Sequence, residues 1–174
     1  MISRAETATP AFVVVMGIAG CGKTEVATRL AASMGCAFLE ADLLHSAGNI
    51  ERMQQGIGLG DEHRWPWLDA VAEAARAEQL RPVIIACSAL RRRYRDFLRE
   101  RLGQVRFVFL HGSPDIIAAR LASRRGHFAT ASLLESQLAA LEPPDSDEDA
   151  VGLDIRWSLD QLTESAARAL GAAA

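Results

Sequence analysis

Five short stretches of the chain are mostly apolar: FVVVM at 12–16, CAFLE at 36–40, PVIIAC at 82–87, VRFVFL at 105–110 and VGLDI at 151–155. Each has the length of a strand. Continuous apolar runs, rather than strict alternation, suit strands buried on both faces. Between them the spacing turns helical. EVATRLAASMG ends at Gly35, a residue suited to closing a helix. WLDAVAEAARAEQL is amphipathic from Trp67 and stops before Pro82, and ALRRRYRDFLRERLG is a basic helix from Ala89. SPDIIAARLASRRG opens with a Ser cap and Pro at the first helical position and ends at Gly126. SLLESQLAALEPP carries an S-x-x-E capping box, and SLDQLTESAARAL supplies a last helix. From Asp42 to Pro66 the chain is polar and glycine-punctuated, with one short helix around Ala47–Gln55. The acidic stretch PPDSDEDA reads as a solvated turn. Strands alternating with helices predict an α/β domain, a parallel sheet covered on both faces, with its ligands at the edge where strands end.

Composition narrows this little. With 174 residues, 49% apolar and 24% charged, and a net charge of −3, the chain reads as one soluble domain, neither disordered nor broadly basic. The run AFVVVMGIAG is too short to span a bilayer, and MISRAETATP has no cleavable-signal pattern. Cys21, Cys36 and Cys87 are too few and scattered for a disulfide framework or a zinc site. A reduced, cytoplasmic protein with no membrane partner is expected. One count is sharper: of nineteen basic residues, Lys23 is the only lysine. A compact ammonium kept at one place points to a crowded phosphate, where arginine's planar fork does not substitute.

That lysine stands in GIAGCGKT, a G-x-x-x-x-G-K-[ST] pattern at Gly17, Gly22, Lys23 and Thr24, between a predicted strand and a predicted helix. Glycines turn backbone N–H groups toward phosphates, and the helix N-terminus adds positive potential. Lys23 would reach the β and γ phosphates and Thr24 would ligate Mg²⁺. Ala19, Gly20, Cys21 and Glu25 complete the expected ATP cradle. Cys21 has two readings, a redox-sensitive thiol at a helix N-terminus or a small residue filling space. PVIIACSAL offers Ser88 but no carboxylate for the metal shell, so the charge is sought in FLEAD, at Glu40 and Asp42. On an extended chain these two point to the same side. One would serve the metal shell and one the acceptor hydroxyl. Asp42 is favoured as base and Glu40 for the metal, with the division left open.

Four blocks of the chain resemble the gluconokinases, small P-loop kinases that transfer the γ-phosphate of ATP to the 6-hydroxyl of D-gluconate. They are GIAGCGKT, FLEADLLHSAGNIERMQQGIGLGDEHRWPWL, CSALRRRYRDFLR and RLASRRGHFATASLLESQLAALEPP, and with their order and spacing they cover about Val13 to Leu162. The resemblance implies a three-layer P-loop fold like that of the nucleoside-monophosphate kinases, related to shikimate kinases. It would have a central parallel sheet of about five strands and a helical lid. A single domain would span 1–174, with the phosphate loop at 17–24, an acceptor segment at about 42–66 and the lid at about 120–142. On the acceptor side it implies Asp42 against the hydroxyl, His45 and Asn49 beside the sugar acid, and Arg64 as a fork for its carboxylate. Ser88, Arg95 and Gln137 are further candidates for polyol hydroxyls. Arg120 would lie near the adenine, and Arg124 would close over the phosphates as a third catalytic group. His127 could pin the hinge of that lid. A homodimer is plausible on the same ground. The chain departs from the family pattern at Glu40, Ala41, Ser46, Gly58 and Arg91, none of which is Lys23, Thr24 or Asp42.

Rival readings are a P-loop kinase for shikimate, a nucleoside monophosphate or another sugar acid, and an ATP-binding switch without turnover. A nucleic-acid module built on the arginine cluster at 91–101 is a further rival, although the net charge and the lack of interleaved aromatics oppose it. Arg92 and Arg93 are expected on a solvated helix face. Trp65 and Trp67 are expected to pack the helix start.

Overall fold

The computed structural model describes residues 9–123 and 131–171. The five apolar runs become β1 (Phe12–Met16), β2 (Ala37–Glu40), β3 (Val83–Ala86), β4 (Val105–His111) and β5 (Ala150–Asp154). All neighbouring strands pair in parallel, in the order β2-β3-β1-β4-β5. Among the described residues, seven α-helices connect or follow them: α1 (Lys23–Met34), α2 (Ala47–Gln54), α3 (Asp61–Ala77), α4 (Arg92–Leu102), α5 (Pro114–Ser123), α6 (Ala131–Ala140) and α7 (Leu159–Ala169).

β1 explains the layering. All five of its residues are buried, and their alternation sends them to opposite faces. Val13 and Val15 join Leu30 of α1, Ile117 of α5 and Leu162 of α7 in one core. Phe12, Val14 and Met16 join Trp67, Leu68 and Val71 of α3 and Leu98 of α4 in the other. Each fully buried aliphatic side chain contributes about 1.5–3 kcal/mol, so the central strand is clamped from both sides. Among the described residues, no helix is long and apolar enough to cross a membrane.

Three features differ from the sequence reading. α3 begins at Asp61, not Trp67, and carries Pro66 inside it. The Gly60 carbonyl accepts from the N–H groups of His63 and Arg64, and Asp61 and Glu62 place negative charge in the first turn, which favours a helix start. α4 begins at Arg92 rather than Ala89, because Ala89 adopts a left-handed φ of 41°. The Glu142 carboxylate then accepts from the Arg92 N–H at 2.7 Å.

The third difference is larger. PPDSDEDA is not a merely solvated turn, because Glu148 is 7% exposed and lies between two arginines of α4. Arg92, expected on a solvated face, pairs with Asp145 and Asp147 of the same stretch. Ser113 accepts from the Ile116 N–H at 3.4 Å, and Pro114 is the first residue of α5, as read. The capping box at Ser132 and the stop at Gly126 fall on side chains and residues outside those described.

Candidate active site

The phosphate loop fills the corner between the end of β1 and the start of α1. Gly17, with φ 144°, is required there: a Cβ would lie 2.6 Å from the Leu110 carbonyl oxygen and 2.7 Å from Cys21 Sγ. Cys21 itself is fully buried, with its thiol packed under the loop beside Gly17. Gly22 caps α1 in a left-handed conformation, φ 97°, and no side chain caps the helix. That leaves the helix start as a place where an anion is favoured. Lys23 Nζ donates to the Ile18 carbonyl at 3.2 Å, folding the ammonium back along the loop. Glu25 lies in the first turn of α1.

Register brings the first acid to this corner. Glu40 at the end of β2 pairs with Ala86 of β3, which pairs with Val15 of β1, so it stands two strands, about 10 Å, from the loop's origin. The Thr24 hydroxyl, at the start of α1, spans the rest and donates to Glu40 Oε2 at 2.7 Å. A hydroxyl and a carboxylate held together form an all-oxygen donor pair of the type that takes a hard cation. Among the described residues, no group of three or more His, Cys, Asp or Glu side chains could hold a metal. A cation here would therefore take the rest of its shell from water and from ligand oxygens.

Asp42 is not on extended chain. It lies in a 3-10 turn, Ala41–Leu44, for which Glu40 is the N-cap. The same-side argument from strand periodicity therefore does not apply. What relates the two acids is the cap, with the Asp42 N–H donating to Glu40 Oε1 at 3.5 Å. The Asp42 carboxylate is 70% exposed and 3.9 Å from His45 Nε2. His45 stacks on Trp67 with ring centroids 4.3 Å apart, and Trp67 Nε1 donates to the Ala41 carbonyl at 2.8 Å. Burial pushes the His45 pKa down; Asp42 opposes that shift and Arg64 adds to it. The ring is thus neutral near pH 7. Asn49 Nδ2 stands 3.3 Å from His45 Nδ1, so Nδ1 is the acceptor and the proton rests on Nε2, facing Asp42. Asn49 also donates to the His63 carbonyl and is 5% exposed. Its amide holds α2 to the start of α3.

Arg64 sits in the first turn of α3, its Nε donating to the Leu59 carbonyl at 3.1 Å and its guanidinium 5.5 Å from the Tyr94 ring centre. Tyr94 and Arg93 both donate to Asp61, tying α3 to α4. The fully buried Cys87 thiol, at the end of β3, registers how the groups converge. Burial, then Asp42, pushes it up to about 12, against smaller opposing effects from the Ala89 backbone, Lys23 and Arg64. One acid and two cations from three different elements therefore act on the same strand end. The Ser88 carbonyl accepts from the Gly17 N–H at 3.4 Å, joining that strand end to the phosphate loop.

Two expected acceptor contacts are corrected. Arg95 is fully buried, with Nε and Nη2 each 2.7 Å from Glu148 oxygens and Nη1 donating to the Ala89 and Leu90 carbonyls. Its fork is consumed inside the protein, so it does not present donors to a polyol. Gln137 of α6 has its Oε1 on the Ala19 N–H at 2.6 Å; its contact is with the phosphate loop, not with the acceptor segment. Arg120 donates to the Ile155 carbonyl at 2.6 Å and borders a cavity with Cys21, Gly22 and Glu25. Arg124 and His127 lie outside the described residues.

The basic helix proves not to be a free cationic face. Arg92, Arg93, Arg95, Arg99 and Arg101 all pair with carboxylates, which removes the patch that a nucleic-acid reading needs. Sequence reasoning missed Glu148, because an acid within an acidic run gives no local sign of burial. It also missed Tyr94, whose hydroxyl meets an acid 33 residues away.

Comparison with known proteins agrees with this geometry. The model of a family described as "AAA domain" matches residues 12–144. A thermosensitive gluconokinase of Escherichia coli K12 is 40% identical over 160 residues, covering 90% of this chain and 86% of the relative. The crystal structure of a gluconokinase from Sinorhizobium meliloti 1021 superposes with a TM-score of 0.85 at 43% identity, covering 94% of this chain and 93% of that one. A shikimate kinase from Aquifex aeolicus shares the fold alone, with a TM-score of 0.57 at 14% identity, covering 91% of this chain and 95% of that one.

Proposed function

The chain belongs to the gluconokinases, and from that premise we propose that it transfers the terminal phosphate of ATP to the 6-hydroxyl of D-gluconate, releasing 6-phosphogluconate and ADP. The observation that carries the reading is the pairing of Thr24 with Glu40 beside Lys23, across from an exposed Asp42. In such transfers positioning and charge neutralisation do most of the work. Lys23 neutralises the β and γ phosphates, while the loop amides of Gly17 to Thr24 hold their oxygens.

Mg²⁺, when bound, neutralises charge on the same phosphates. Thr24 and Glu40 are the residues that would hold it, in keeping with that ion's habit of taking one or two protein oxygens plus phosphates. Asp42 aligns the acceptor hydroxyl and takes its proton late, when the oxygen has begun to bond phosphorus. Neutral His45, fixed by Trp67 and Asn49, keeps its Nε2–H toward Asp42 and so helps to orient that carboxylate. Arg64 offers a guanidinium to the gluconate carboxylate. Arg124 is assigned to the transferring phosphate on the family pattern alone. We place the reaction in the cytoplasm, where ATP is available and where three unpaired cysteines are at home.

Coupled ADP release over a panel of gluconate, shikimate, nucleoside monophosphates and other sugar acids tests the proposal. Turnover with gluconate well above the rest is the expected result. Equal turnover across the panel, or none with gluconate, overturns it.

A further inference from the structure

Among the described residues, one aromatic side chain stands among the exposed large hydrophobic ones. Trp157 is 43% exposed, whereas Trp67 is 3% exposed. With Gly22, Val26, Arg120, Leu159 and Leu162 it lines a cavity of about 250 Å³. Val26 and Leu162 are almost fully buried and form an apolar floor. Gly22 opens α1, so this cavity and the phosphate cradle share the same few residues. A molecule with its phosphates on the loop would carry its remaining group into the space before Trp157.

We propose that Trp157 is the stacking platform for the purine base of the nucleotide and sets how strongly that base contributes to binding. This rests on the ATP-dependent reading above and adds a residue that none of the sequence motifs assigns.

The turn that carries Trp157 is held before any ligand arrives. Asp154 accepts from the Arg156 N–H, Nε and Nη2 at 2.9, 2.9 and 2.7 Å, and the Trp157 N–H donates to the Asp154 carbonyl at 3.1 Å. On the other side, Ser158 and Gln161 close a capping box that starts α7. Arg120 ties α5 to the same turn through the Ile155 carbonyl. With the backbone fixed from three directions, only the side-chain torsions of Trp157 remain to be ordered on binding. Two fused rings overlap an indole more fully than one ring does. A purine nucleotide should therefore gain more from Trp157 than a pyrimidine nucleotide.

Intrinsic fluorescence of the full chain provides the test, with ADP, CDP and inorganic tripolyphosphate as probes in the presence of magnesium. Trp65 and Trp67 lie in α3 and pack in the core on the other face of the sheet from Val26 and Leu162. ADP is expected to quench the wild-type emission, and Trp157→Leu to abolish that quench. The Kd for ADP, followed by calorimetry, should rise about tenfold in Trp157→Leu, stay near wild type in Trp157→Phe, and rise less for CDP. Tripolyphosphate, which has no base, should bind all three proteins equally. Unchanged ADP affinity in Trp157→Leu overturns the proposal, and so does an equal loss for tripolyphosphate, which would mean a disturbed loop. Failure of ADP to bind the wild type overturns the ATP-dependent reading and this proposal with it. An enzyme that binds ADP as described but leaves gluconate untouched overturns only the choice of acceptor.

Discussion

Asp42 and Arg64 carry opposite charges toward one space, and their surroundings determine what replacing each should do. Asp42 is mostly exposed and makes no buried ion pair, so Asp42→Asn should fold normally. A positioned base contributes about 10²–10⁴-fold; kcat should fall by that order while the KM for ATP holds, as steady-state assays would reveal. A near-normal kcat would remove Asp42 from the role. Arg64→Lys keeps the charge but not the fork. Loss of one charge-assisted hydrogen bond costs about 1.5–3 kcal/mol, so the gluconate KM should rise about ten- to a hundredfold with kcat less affected. An unchanged KM would assign the carboxylate to another group. At this scale legibility followed distance along the chain. Lys23 and Thr24 belong to a local pattern and could be read directly. Arg95 and Gln137 could not, because their partners, Glu148 and Ala19, lie 53 and 118 residues away.

Among the elements, α4 departs most from its sequence appearance. Its arginines read as a solvated basic face, yet Arg95 and Arg99 converge on buried Glu148 and Arg92 grips the acidic turn beyond it. Helical periodicity shows which residues share a face but not what that face meets. α3 shows the same limit: Pro66 reads as a boundary, although Asp61, Glu62 and the Gly60 carbonyl start the helix before it. Removing one partner of a buried pair strands the other, at about 3–5 kcal/mol, so Arg95→Met should lower the urea midpoint sharply. Burial alone would raise the Glu148 pKa, but hydrogen bonds from Arg95 and Arg99 outweigh it and bring it from 4.5 down to about 2. A depressed acid stabilises the fold above its unfolded pKa and loses that stabilisation as pH falls through its folded one. About 3 kcal/mol should therefore be lost between pH 4.5 and 2. Urea titrations of the wild type and of Glu148→Gln across that window would show it, since the variant should lack this part of the slope.

For the molecule as a whole, the α/β class and the five strands were legible because buried parallel strands are short apolar runs separated by helices. The order β2-β3-β1-β4-β5 was not, because pairing joins residues far apart and apolar strands look alike. That order is what places Glu40 two strands from the phosphate loop, so the site depends on a feature no local pattern contains. It also separates binding from folding. The described contact of Lys23 Nζ is one carbonyl of its own loop, and no helix is packed through it. Lys23→Ala should leave the melting temperature of the free protein within about 2 °C of wild type, the usual range for a surface change. A ligand at about a hundred times its Kd stabilises the state that binds it by about 2.7 kcal/mol, which for a chain of this length is a rise of roughly 5–10 °C. Differential scanning fluorimetry with magnesium and ATP should show that rise in the wild type and little of it in Lys23→Ala. If the variant keeps the full shift, the ammonium is not what holds the phosphates. If it melts early without ligand, Lys23 supports the fold, and the separation of binding from folding argued here is wrong.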